Sequence, residues 1–123
     1  MDEETSFDEF ISHCQYYISL LHLNDWDIVF ENIDISGANA NCSVEPGTRK
    51  ATIRLATAFQ TAKSIEYYAL HECLEVLLGD MACHMRQASA DFMVDDEVHR
   101  VINRLIPVVF RARDTKAVEG GKK

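Results

Sequence analysis

Tyr68-Ala69-Leu70-His71-Glu72-Cys73-Leu74-Glu75-Val76-Leu77-Leu78 is the stretch on which the fold turns, because its strongly polar side chains are confined to His71, Glu72 and Glu75. At about 100° per residue, these three fall within an arc of about 100° on a helix. A helix that is apolar on the rest of its surface is normally buried, and here it takes an imidazole and two carboxylates with it. Charged groups without partners are costly in an interior, so the fold must supply either a cation or good hydrogen-bond partners. A divalent metal meets that need most directly.

Working outward, this helix is expected to start near Thr61 to Ser64, both suitable caps, and to stop at Gly79, where a left-handed terminal residue is easily accommodated. Upstream, Phe7, Phe10, Ile11, Cys14, Tyr17, Ile18 and Leu21 recur at helical spacing behind the capping box Ser6-Phe7-Asp8-Glu9, which predicts a first helix over residues 7 to 22 with a loose acidic start. Trp26-Asp27-Ile28-Val29-Phe30 alternates as a strand does. Ala40 to Val44 predicts a second strand, and Ala51-Thr52-Ile53-Arg54-Leu55 a third beyond the turn Glu45-Pro46-Gly47-Thr48. Residues 80 to 90 fit either a short helix or a loop. Val94, Val98, Val101, Ile102, Leu105 and Val109 predict a last helix from Asp91 to Arg111, kinked or shortened at Pro107. The expectation is an α+β domain over residues 1 to 113, with an N-terminal helix, a small antiparallel sheet, the buried helix and a C-terminal helix, followed by a disordered tail over 114 to 123.

Composition narrows the partners. A chain of 123 residues that is 47% hydrophobic supports one core. A net charge of -8 argues against nucleic acid or an anionic membrane as a partner. No stretch reads as a leader or a membrane span, so a cytoplasmic location is expected. Cys14, Cys42, Cys73 and Cys83 lack Cys-x-x-Cys spacing and fit reduced, mostly buried thiols.

Positions i and i+4 share a helix face, so His71 and Glu75 can reach one ion while Glu72 stands to the side, where a general base would take a proton from a metal-activated water. A third ligand must come from elsewhere. His99 borders the apolar face centred on Val98 in the last helix, and Asp95, one turn before it, suits a carboxylate that orients the His99 ring. His-Glu-x-x-Glu differs by one letter from the His-Glu-x-x-His signature of zinc peptidases.

Together with Ala40-Asn41-Cys42-Ser43-Val44 and Val101-Ile102-Asn103-Arg104-Leu105, these segments make residues 24 to 106 resemble the small zinc metallopeptidases of bacteriophage and prophage genomes, which are similar to minimal gluzincins. The resemblance implies a zincin-like fold, a Zn2+ cofactor, His71 as first ligand and Glu72 as catalytic acid/base. It departs at Glu75, where a second histidine is expected, and at His99, which stands where a glutamate is expected. If the two have exchanged, the first shell is still two histidines and one glutamate. The implied substrate is a protein or peptide held in extended form along Asn39 to Val44 or Lys50 to Leu55. Tyr67, Tyr68, His84 and Arg86 are candidates to stabilise an oxyanion.

Three other readings compete. A catalytically inactive zincin-like fold would serve as a binding or regulatory module. A purely structural helix would pair Glu72 and Glu75 with arginines such as Arg54 or Arg104. A closed structural zinc site would recruit Cys73 and Cys83-His84 to His71, although Cys73 points away from Glu75 around the helix.

Overall fold

The computed structural model describes residues 3–45, 47–59 and 63–121, with side chains described between 6 and 114. Pro46 and Thr61 therefore lie outside the described residues. The elements run α1 (Glu3–Leu20), β1 (Asp27–Ile33), β2 (Ala40–Glu45), β3 (Lys50–Ala56), α2 (Ile65–Leu77), α3 (Gly79–Arg86) and α4 (Asp91–Gly121).

The fold is α+β, as expected, with a correction in the sheet. β2 and β3 form the antiparallel hairpin, but β1 pairs with β3 in parallel, so the strand order is β1-β3-β2 and the sheet is mixed. The apolar pattern explains the order. Ala51, Ile53, Leu55 and Ala56 of β3 are all buried, whereas β1 alternates exposed and half-buried positions, so the greasiest strand takes the centre. Lys50 to Leu55 is thereby paired on both sides and cannot receive a peptide, which leaves β2 as the edge strand nearest α2.

α1 begins earlier and ends earlier than expected. It closes with a Schellman arrangement in which the Leu23 amide donates to Ile18 O at 2.8 Å and the His22 amide donates to Ser19 O at 3.2 Å. His22 therefore lies outside the helix, at φ 58° in the left-handed position that glycine usually takes, and Leu23 beyond it is 2% exposed. Residues 3 to 5 belong to the helix rather than to a loose start.

α2 is capped by Ser64, whose hydroxyl accepts the Tyr67 amide at 3.1 Å. Ala69, Leu70, Glu72, Cys73, Leu74 and Val76 are buried along it, and α1, β2, α3 and α4 all pack around it. Tyr17, Glu66 and Arg113 join α1, α2 and α4 at one end: Tyr17 Oη donates to Glu66, and Arg113 is ion-paired to the same carboxylate.

α4 continues through Gly121, so most of the segment expected to be disordered is helical. Pro107 is accommodated inside it. Pro107 is exposed, as is Asn103, whose carbonyl loses its amide partner, so water can satisfy the freed acceptor.

Gly79 does not end α2 in a left-handed turn; it opens α3 in the short bend after Leu78. Its need for glycine is a matter of space, because a Cβ there would lie 2.7 Å from Val44 Cγ1. Val44 is a branched side chain on β2 with little rotamer freedom. Gly79→Ala is expected to lower the unfolding free energy by about 1–3 kcal/mol, as overpacking does. Urea denaturation should show partial recovery when Val44→Ala is added, and additive losses in the double variant would count against this contact as the cause.

Candidate metal centre

The α2 frame sets His71 and Glu75 one turn apart on the side that faces α4, both half-buried. His99 reaches the same point from α4. Glu75 Oε1 lies 3.5 Å from His71 Nε2 and 3.0 Å from His99 Nε2, and the three donor atoms all lie within 4.8 Å of one another. Ligand atoms about 2.0–2.1 Å from a tetrahedral zinc sit about 3.3 Å apart, so the observed spacings suit one such ion.

The His99 ring is oriented from behind. Its Nδ1 lies 2.8 Å from the Asp95 main-chain oxygen, and a carbonyl only accepts, so Nδ1 carries a proton. In the neutral ring this leaves a lone pair on Nε2 facing the Glu75 carboxylate. Two acceptors at 3.0 Å repel unless a proton or a cation stands between them. Asp95 thus positions the ring through its backbone. The expected role for its carboxylate is corrected, because that group is ion-paired with Arg86.

Glu75 divides its two oxygens. While Oε1 faces the imidazoles, Oε2 accepts the Cys42 thiol at 3.2 Å. Burial works against ionisation of Glu75, but the hydrogen bonds from His71, Glu72 and Cys42 and the charge of His71 outweigh it and hold the pKa down to about 2. Glu72 behaves in the opposite way. It is 3% exposed, and burial, followed by repulsion from Glu75, pushes its pKa well above the ordinary carboxylate range. The opposed shifts favour the neutral form at Glu72 and the charged form at Glu75. Burial, then the two carboxylates, also raises the Cys42 thiol.

Two polar atoms here have no partner among the described residues, His71 Nδ1 and Glu72 Oε1. The site opens into a cleft of about 170 Å³ lined by Cys42, Glu75, Arg86, Asp95 and His99 with apolar neighbours from β2, α3 and α4.

His71, Glu75 and His99 are thus brought together, and Glu72 lies immediately beside them within 4.8 Å of Glu75 and Cys42. Of the four oxyanion candidates, Arg86 lines the cleft. Tyr67 stands with its ring 6.1 Å from that of His71, Tyr68 Oη accepts from Asn39 at 3.1 Å, and His84 lines a different cavity with Arg49 and Asp80. Arg54 is engaged by Glu31, Asn41 and Ser43 rather than by the α2 carboxylates. Cys73 is buried against Cys14 O at 3.7 Å, and Cys83 lines the cavity that holds His84, so neither joins His71 in a closed site.

Cys42 is the residue whose place at the site the sequence reading missed. The alternation of β2 sets it on one face with Val44, and only the packing of α2 over that face reveals what it meets.

Comparison of the chain with family models, curated proteins and solved structures finds no match.

The opposed shifts of the two glutamates give stability a signature in metal-free protein. Glu75, held below its unfolded value of about 4.3, stabilises the fold fully above that pH and loses this contribution as pH falls towards about 2. Glu72, held above about 4.3, makes the unfolded state the better proton donor, so raising the pH destabilises the fold. In EDTA, Glu72→Gln is expected to gain stability relative to wild type at pH 8 and to gain less at pH 5. A difference that is the same at both pH values would contradict a protonated Glu72.

Proposed function

We propose that the chain is a zinc-dependent hydrolase of the metallopeptidase type, with a zincin-like arrangement in which histidine and glutamate have exchanged helices. The observation that carries this reading is the convergence of His71 Nε2, Glu75 Oε1 and His99 Nε2 from two helices, with the His99 ring fixed on the Asp95 carbonyl. Two histidines and one carboxylate, with one side open to a cleft, are a donor set suited to catalytic rather than closed structural zinc. When bound, zinc supplies Lewis acidity towards a carbonyl oxygen and towards water.

The remaining tasks fall to the chain itself. Glu72 is the general base that takes the proton of the attacking water and returns it to the leaving amine. A dication beside it favours the ionised carboxylate, reversing the protonation it has beside Glu75 alone. Arg86, ion-paired with Asp95, lines the cleft and is the side chain assigned to stabilise the charge that develops on the substrate oxygen. The edge of β2 offers main-chain groups to an extended peptide. A phage or prophage origin and a cytoplasmic setting belong to the same proposal. No described helix is long and apolar enough to cross a membrane.

A second reading, a zincin-like fold kept as a binding module, draws on Phe92 and Met93, which stand 70% and 55% exposed in the first turn of α4. One set of variants separates the two. On protein purified without chelator or polyhistidine tag, Glu72→Gln is expected to keep zinc and to lose about 10²–10⁴-fold in peptide turnover. His99→Ala and Glu75→Ala are expected to lose the zinc held by the histidines. Wild type that takes up no zinc, or that holds zinc without hydrolysing a casein or mixed-peptide substrate, would favour the binding module, and zinc retained at full content by Glu75→Ala and His99→Ala would overturn the histidine site itself.

A further inference from the structure

Glu75 offers one oxygen to the histidines and turns the other towards a different set of donors. Cys42 Sγ, a carboxylate oxygen of Glu72 and a carboxylate oxygen of Glu75 all lie within 4.8 Å of one another. Cys42 comes from β2 and the two glutamates from α2, so this cluster is built across the helix–sheet interface rather than along one surface. Glu72 is almost wholly buried, and its Oε1 has no hydrogen-bond partner among the described residues. Cys42 and Glu75 both line the cleft, which supplies a path from solvent.

We infer that Cys42, Glu72 and Glu75 form a second cation subsite, bridged to the histidine subsite through the two oxygens of Glu75. A thiolate with two carboxylates suits a borderline-soft divalent ion such as Zn2+, Co2+ or Cd2+ and disfavours Mg2+ or Ca2+. A carboxylate bridge holds two metal ions about 3.5–4 Å apart, the spacing of paired-metal sites in general. On binding, the Cys42 sulfur exchanges its proton for the cation and the proton passes to solvent. A carboxylate bound to a cation is not free to act as a base, so the base role proposed for Glu72 holds only while this second subsite is empty.

Cobalt(II) titration of the metal-free full chain tests the subsite without any assay of activity. Wild type is expected to take two equivalents, one of them developing a near-ultraviolet thiolate-to-cobalt charge-transfer band. Cys42→Ser is expected to take one equivalent with no band, and His99→Ala one equivalent with the band retained. A single equivalent in wild type that carries the band and survives His99→Ala would uphold the thiolate subsite while removing the histidine site instead. Absence of the band from wild type overturns the inference whatever the variants do. So does a band that persists in Cys42→Ser, or one that disappears in His99→Ala, which would make Cys42 a further ligand of the histidine site. Far-ultraviolet circular dichroism confirms that each variant is folded before it is scored.

Discussion

The structure depends on one constraint, the burial of two carboxylates a single helical turn apart on α2. That helix is enclosed by α1, β2, α3 and α4, so it cannot rotate Glu72 and Glu75 out to water without exposing Leu70, Leu74 and Val76. Like charges at this separation cannot both be ionised in a poorly solvated interior. The surroundings resolve the conflict by keeping Glu72 neutral and by pointing donors at Glu75, His71 from its own helix and Cys42 from β2, while His99 from α4 needs a proton or a cation between its Nε2 and that carboxylate. The elements around α2 thus supply apolar cover on most sides and hydrogen-bond donors on one.

This arrangement makes Glu75 the hinge of the site. Substituting the histidine expected at this position would satisfy the imidazole side and leave Cys42 and Glu72 without their shared acceptor. A carboxylate, with two oxygens separated by a rigid angle, serves both. The same division explains why His99 needs a firm orientation. A ring free to turn could present Nδ1 instead, and the hydrogen bond to the Asp95 carbonyl removes that choice. Asp95 in turn is held by Arg86, so α3 contributes to ring placement although it supplies none of the three converging side chains.

Much of this was legible in the residues. His71 and Glu75 share a face by helical geometry alone, and His99 sits on the border of an apolar face that had to meet α2. Cap and turn chemistry placed Ser64 and the β2–β3 turn. Other features depend on which surfaces meet, and spacing does not encode that. The alternation of β1 is the same whether its neighbour is β2 or β3, so the parallel pairing was hidden. An i,i+4 aspartate can serve a histidine through its carboxylate or through its carbonyl, and the choice was made by Arg86, nine residues before Asp95 and on another helix. Gly79 read as a helix stop because glycine usually marks one, whereas its missing side chain makes room for Val44. Pro107 read as a break because the exposure of Asn103 cannot be seen without the packing of α4.

The strand order also governs how the chain can assemble as it is made. Among the described residues β1 pairs with β3 alone, which follows it by some twenty residues, and α1 packs chiefly against α2, later still. During synthesis the first half of the chain therefore emerges with Phe10, Tyr17 and Leu23 uncovered and with both edges of β1 unpaired. The β2–β3 hairpin closes locally and quickly, and it creates the edge on which β1 can dock. Until α2 arrives, the nascent chain is a sticky, half-built sheet. A long pause in translation after β3 has emerged from the ribosome and before α2 has done so would expose it to aggregation.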